Sequence, residues 1–135
     1  MNTAIFFADG FEEIEGLTVV DMFRRAGISI QTVSISDSLT VTGSHDIKVQ
    51  ADCLLKDFDF NTVEMLILPG GMPGTTNLSK CEPLCDALMQ FSRQGHYLAA
   101  ICAAPSILGG LGILNGRVAT CYPGFEKKLF GAYIT

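Results

Sequence analysis

Apolar residues along this chain fall into short blocks that alternate with amphipathic stretches. Thr3–Ala8 (TAIFFA) is a strand-length apolar block, and Gly10–Gly16 reads as the turn after it. Leu17, Val20, Met22, Phe23 and Ala26 then give an apolar helical face. It ends as a helix should, with Arg24 and Arg25 in the last turn and Gly27 behind them. Ile28–Ile35 alternates apolar and polar, the period of a strand with one face less buried. Leu39–Val41 and Ile47–Val49 flank Gly43–Asp46 and predict a small hairpin. Val63–Leu68 predicts a buried strand closed by Pro69–Gly74. Leu84, Leu88 and Phe91 share one face of a predicted helix over Lys80–Arg93, stopped by Gly95. Tyr97–Ile101 reads as a further buried strand running into Cys102 and a short helix through Ser106–Leu108. Asn115-Gly116 marks a turn before a short strand at Val118–Thr120.

Strand, helix and strand in this order predict an α/β fold, a mostly parallel sheet with helices on both faces. Such sheets bind ligands beyond the carboxyl ends of their strands. Three loops meet that condition, after Ala8, Leu68 and Ile101. They carry Glu12, Glu13 and Glu15, then Gly70 and Gly71, then Cys102.

Composition narrows the function classes. With 135 residues the chain suits one domain with a sizeable core. A 48% hydrophobic and 17% charged composition excludes a disordered chain. The net charge of −5 and the lack of a Lys/Arg cluster argue against nucleic acid as the main partner. The apolar blocks are too short to span a bilayer, and the first residues show no leader pattern, so the expected compartment is the cytoplasm. Five cysteines form no CxxC pair and no zinc spacing. Cys81 and Cys85 share a helix face but lack the second half of a metal site. Free thiols are therefore expected, with no metal and no cofactor.

The segment Ala99–Pro105 places Cys102 where a buried strand turns into a helix among small residues, the logic of a nucleophile elbow. A helix start behind the sulfur is expected to favour the thiolate. The other reading is a buried cysteine that packs as a small hydrophobe. Gly70 and Gly71 let backbone N–H groups approach a reacting atom, and with the N–H of Ala103 they could form an oxyanion hole. An ordinary glycine turn is the alternative. Among the three acids, Glu15 is the candidate to hydrogen-bond the sulfur or shuttle a proton, with Glu12 and Glu13 expected as surface acids. His96 lies at the far end of its strand from Cys102, and His45 falls in the hairpin as a possible neighbour of the site.

Four segments in this order resemble the ThiJ/PfpI superfamily, in the branch that holds the Parkinson-disease deglycase and bacterial YajL. They are Ala8–Glu15, Phe23–Ile28, Leu66–Gly71 and Ala99–Pro105. The resemblance implies a flavodoxin-like three-layer sandwich, commonly a homodimer, over a single domain spanning 1–135. It puts Cys102 on the family nucleophile, Glu15 on its partner acid, and Gly71 and Ala103 on the oxyanion donors. The implied chemistry is cofactor-free: a glyoxalase or deglycase acting on a small aldehyde or a glycated substrate. A redox sensor or holding chaperone built on an oxidisable Cys102 is the alternative. PfpI-type proteases carry a histidine where this chain has Ala103, and the Parkinson-protein type carries one where it has Tyr122. Their absence argues against a Cys-His protease. A thiazole monophosphate role lacks support because Pro69–Gly74 has no P-loop lysine. Family domains continue with another strand and a terminal helix, so the stop at Ala132–Thr135 reads as a C-terminal truncation.

Overall fold

The computed structural model describes residues 1–135. In chain order the elements are β1 (Asn2–Phe7), α1 (Glu13–Arg25), β2 (Ser29–Ser34), β3 (Thr40–Thr42), β4 (Lys48–Gln50), β5 (Cys53–Leu54), β6 (Met65–Leu68), α2 (Gly74–Ser79), α3 (Glu82–Gln94), β7 (Tyr97–Ala100), α4 (Pro105–Gly110), β8 (Val118–Ala119) and β9 (Tyr133–Ile134). Short 3₁₀ turns occupy Leu55–Asp57, Phe60–Thr62 and Glu126–Lys128. One five-stranded sheet in the order β5-β2-β1-β6-β7 is parallel throughout. β3 and β4 form an antiparallel hairpin, and β8 pairs with β9 in a separate parallel ribbon.

The central strand sets the layers. Successive side chains of a strand point to opposite faces, and β1 is buried on both. Ala4 and Phe6 pack with Leu66, Leu78, Leu84, Leu88, Phe91 and Ile107 under α2, α3 and α4. Ile5 and Phe7 pack with Phe11, Val20, Ile30 and Ile67 under α1. Each fully buried side chain of this size contributes about 1.5–3 kcal/mol of transfer free energy. The result is the expected α/β flavodoxin-like sandwich, with β1 and β6 delivering their following loops to one edge of the sheet.

Three local expectations need correction. The segment read as a turn through Gly16 is already helical from Glu13, where the Glu12 side chain caps the N–H of Ile14. Leu17, Met22 and Ala26, assigned to the apolar face of that helix, are exposed. β7 is half-exposed and forms the sheet edge, because no strand follows it in the sheet order, so Tyr97–Ile101 is not a buried strand. α2 had no counterpart in the sequence reading. The expected hairpin formed, its turn at Gly43–Asp46. No helix is long and apolar enough to cross a membrane.

Candidate active site

The loops after β1 and β6 are laced together by backbone bonds. Glu12 N–H donates to the Gly70 carbonyl at 2.9 Å, and Gly74 N–H to that of Gly10 at 3.1 Å. Gly71 sits at φ +91°, a conformation open to glycine and costly for other residues. The third loop leaves β7, whose extension bonds to β6 through Ile101 N–H and the Leu68 carbonyl at 3.3 Å. Cys102 follows with φ +64°, one of only two non-glycine residues in the left-handed region. Holding a side-chain-bearing residue there costs on the order of 1–3 kcal/mol, a strain that clusters at functional sites. The bond from Ala104 N–H to the Ile101 carbonyl closes the turn around it at 3.0 Å.

Glu15, in the first turn of α1, reaches this elbow. Its Oε1 accepts the Gly70 N–H at 2.9 Å. A Cβ at Gly70 would lie 2.7 Å from both Cys102 Cβ and Glu15 Oε1, so the missing side chain is what lets acid and thiol share the space. The Cys102 thiol is pushed above its ordinary range, first by burial and then by the Glu15 carboxylate lying against it. The N–H groups of Ala103 and Gly71 pull the other way without reversing the shift. The expectation that a helix start favours the thiolate therefore needs correction. α4 begins only at Pro105, and Glu15 is the nearer charge.

Gly71 and Ala103 thus present N–H groups on the sulfur side. Two hydroxyls bond the peptide that follows each of these N–H groups. Thr75 Oγ1–H donates to the Gly71 carbonyl at 2.8 Å and Ser106 Oγ–H to the Ala103 carbonyl at 2.6 Å. Sequence reasoning missed both, although a hydroxyl three or four residues after a turn residue is a readable pattern. Thr75 and Ser106 also line a cavity of about 340 Å³ with Met72, Phe125 and Lys128. Tyr122 is exposed, and its backbone N–H donates to the Cys102 carbonyl at 2.7 Å. The structure thereby places Tyr122 beside Cys102 through its main chain.

Glu13 departs most from expectation. Assigned to the surface, it is 4% exposed. Its carboxylate accepts the N–H of His45 at 2.9 Å and of Ile47 at 3.2 Å, and it also meets the His45 ring at 3.2 Å. Burial alone would raise this carboxyl, but N–H groups from its own backbone, Ile47 and His45 outweigh it and hold the group below the ordinary carboxylate range. Glu13 thus pins the hairpin turn onto the start of α1. Glu12 is half-buried rather than fully at the surface, 3.4 Å from the His45 ring. The polar partners of His45 are therefore Glu12, Glu13 and Ser44, not Cys102. Glu12, Glu13 and His45 are the one group whose potential metal-ligand atoms lie together, within 4.8 Å. Both Glu13 oxygens are already engaged by the hairpin. His96, exposed, rests against Phe91 at the opposite end of the sheet.

Residues 1–135 match the profile of the DJ-1/PfpI family. Protein DJ-1 homolog B of Arabidopsis thaliana is 38% identical over 90% of this chain, which spans 28% of that protein, and 31% of the Arabidopsis DJ-1 homolog A. A deglycase of Pyrococcus abyssi is 29% identical over 98% of the chain and 78% of its own length. A glutathione-independent glyoxalase of Caenorhabditis elegans, DJR-1.2, is 31% identical over 90% of the chain and 64% of its own length. The solved structure of oxidized Toxoplasma gondii DJ-1 superimposes with a TM-score of 0.89 at 32% identity, over 94% of this chain and 70% of that one. Matched along its whole length, the chain belongs to the DJ-1/PfpI family.

Proposed function

We propose that this protein is a cofactor-free enzyme that uses Cys102 against reactive carbonyls, as a glyoxalase or a deglycase. One observation carries the reading: a strained cysteine lies against a carboxyl that Gly70 holds at 2.9 Å, with two N–H groups on the sulfur side. The names of the Pyrococcus and Caenorhabditis relatives support the same chemistry.

The steps follow from the geometry. Glu15 takes the thiol proton as sulfur attacks the aldehyde carbon of methylglyoxal, giving a hemithioacetal. The developing alkoxide is met by the Gly71 and Ala103 N–H groups, and Thr75 and Ser106 bond the carbonyls of the same two residues. Glu15 returns that proton to the alkoxide and then relays the proton of the former aldehyde carbon to its neighbour, while the hydroxyl proton passes to the neighbouring oxygen, converting the adduct to a lactoyl thioester. Water cleaves the thioester to lactate and restores the thiol. The sum is methylglyoxal plus water to lactate, with no external oxidant or reductant. A deglycase would share the addition step and differ in the group released. The test is lactate formation from methylglyoxal by the wild type and by Cys102→Ser. Undiminished turnover in the variant removes Cys102 from the mechanism.

A redox-sensing role for the same thiol is the second reading, and the oxidized state of the Toxoplasma relative favours keeping it. Substrate addition and peroxide attack both need an accessible sulfur, so the two readings share one residue.

A further inference from the structure

We infer that Cys121 is a resolving thiol for Cys102, closing an intramolecular disulfide after a hydroperoxide has oxidised the nucleophile. The argument starts from one backbone bond, Tyr122 N–H to the Cys102 carbonyl at 2.7 Å. In a trans peptide the preceding Cα lies on the N–H side. A bond of that length therefore keeps the Cα atoms of Cys121 and Cys102 within roughly 4.5–7 Å of each other, depending on the angle at the carbonyl oxygen. Disulfide-linked residues have Cα separations of roughly 4.4–6.8 Å. Both thiols are free and partly exposed. The other three cysteines stand elsewhere, Cys53 in β5 at the opposite edge of the sheet and Cys81 and Cys85 at the start of α3. Cys121 is the cysteine that the fold ties to the nucleophile.

The chemistry balances in two steps. Cys102 sulfur attacks the hydroperoxide, the O–O bond breaks, and sulfenic acid forms with release of water or an alcohol. Cys121 sulfur then attacks the sulfenic sulfur, the S–O bond breaks, and water leaves as the disulfide forms. The peroxide supplies both oxidising equivalents, so no other oxidant is required. Cys121 sulfur lies near the Phe125 N–H, within the turn closed by Phe125 N–H and the Tyr122 carbonyl at 3.2 Å. Closure requires it to rotate away from that turn toward Cys102. The disulfide would occupy the nucleophile and stop carbonyl chemistry, while keeping Cys102 from irreversible oxidation to sulfinic acid.

The inference rests on Cys102 being a reactive thiol, as the proposed function does, and the two fail separately. The full chain is treated with hydrogen peroxide, blocked with N-ethylmaleimide, and mapped without reduction. The expected product is a Cys102–Cys121 linked peptide, an intact mass lower by two hydrogens, and recovery with dithiothreitol. Cys121→Ser is expected to lose the link and accumulate sulfinic acid on Cys102, while the reduced variant turns over methylglyoxal like the wild type. Sulfinic acid forming equally fast in both proteins would overturn the inference. So would a link from Cys102 to another cysteine, or a Cys102 inert to peroxide. Absence of lactate formation by the reduced wild type would instead overturn the carbonyl reading, leaving the peptide map to stand alone.

Discussion

Cys102 keeps a left-handed backbone angle because the residues around it leave no other route from β7 into α4. Ile101 is still bonded to β6, and Ala103 and Ala104 are already buried against the core. The elbow therefore points the sulfur at the space that Gly70 leaves empty. Gly70→Ala would put a methyl group 2.7 Å from Cys102 Cβ and from Glu15 Oε1. Overpacking of this kind costs about 1–3 kcal/mol. The expected outcome is a lowered Tm together with loss of lactate formation, since acid and thiol are pushed apart. Glu15→Gln keeps the shape and removes the proton acceptor. Positioned acid-base groups contribute about 10²–10⁴-fold, so a drop in kcat of that order is expected with the fold intact by circular dichroism. The elbow was legible in the sequence because an apolar run ends abruptly at a cysteine among small residues. The state of the thiol was not legible, because it is set first by burial and then by the Glu15 carboxylate, and the extent of both is settled only by folding.

At the scale of elements, the hairpin and α1 depend on each other through Glu13. Its partners, His45 and Ile47, lie more than thirty positions along the chain, so no local pattern marks this acid as buried. The first turn of a helix is an ordinary place for surface acids, which is why the expectation failed there. The folded carboxyl titrates below its unfolded value, so its contribution is present above the unfolded pKa and is lost as pH falls through the folded one. Glu13→Gln should cost about 1–3 kcal/mol at neutral pH, from weakened hydrogen bonds to a buried group. Urea melts at decreasing pH should show the gap between wild type and variant narrowing below about pH 4, near the unfolded carboxyl value. A gap that widens in acid would contradict this role. Gly16 gives a second test within α1. Alanine is favoured over glycine in helices by about 1 kcal/mol, yet a Cβ here would meet the Phe7 and Phe11 rings at 2.8 and 2.9 Å. Because those rings stack at 4.4 Å in the core, Gly16→Ala is expected to lower the Tm despite its propensity.

For the whole molecule, the order of elements along the chain predicted the layers, since alternating strands and helices leave few ways to bury β1 on both faces. It did not predict which strand would be the edge. Tyr97–Ala100 is as apolar as an inner strand, and only the pairing shows that β7 has one neighbour. Beside it Val19, Phe23, Ile67 and Ile101 help line a wholly apolar cavity of about 180 Å³. α2 escaped notice because GTTNLS carries a single buried apolar side chain, Leu78, too few to show a period. That helix nevertheless supplies Thr75 to the site, so the architecture assembles the chemistry from four separate segments. The most direct test of that assembly is lactate production from methylglyoxal by wild type, Cys102→Ser, Glu15→Gln and Cys121→Ser, all reduced. The account predicts turnover in wild type and Cys121→Ser, a large loss in Glu15→Gln and none detectable in Cys102→Ser. Equal turnover in Cys102→Ser and wild type would contradict it.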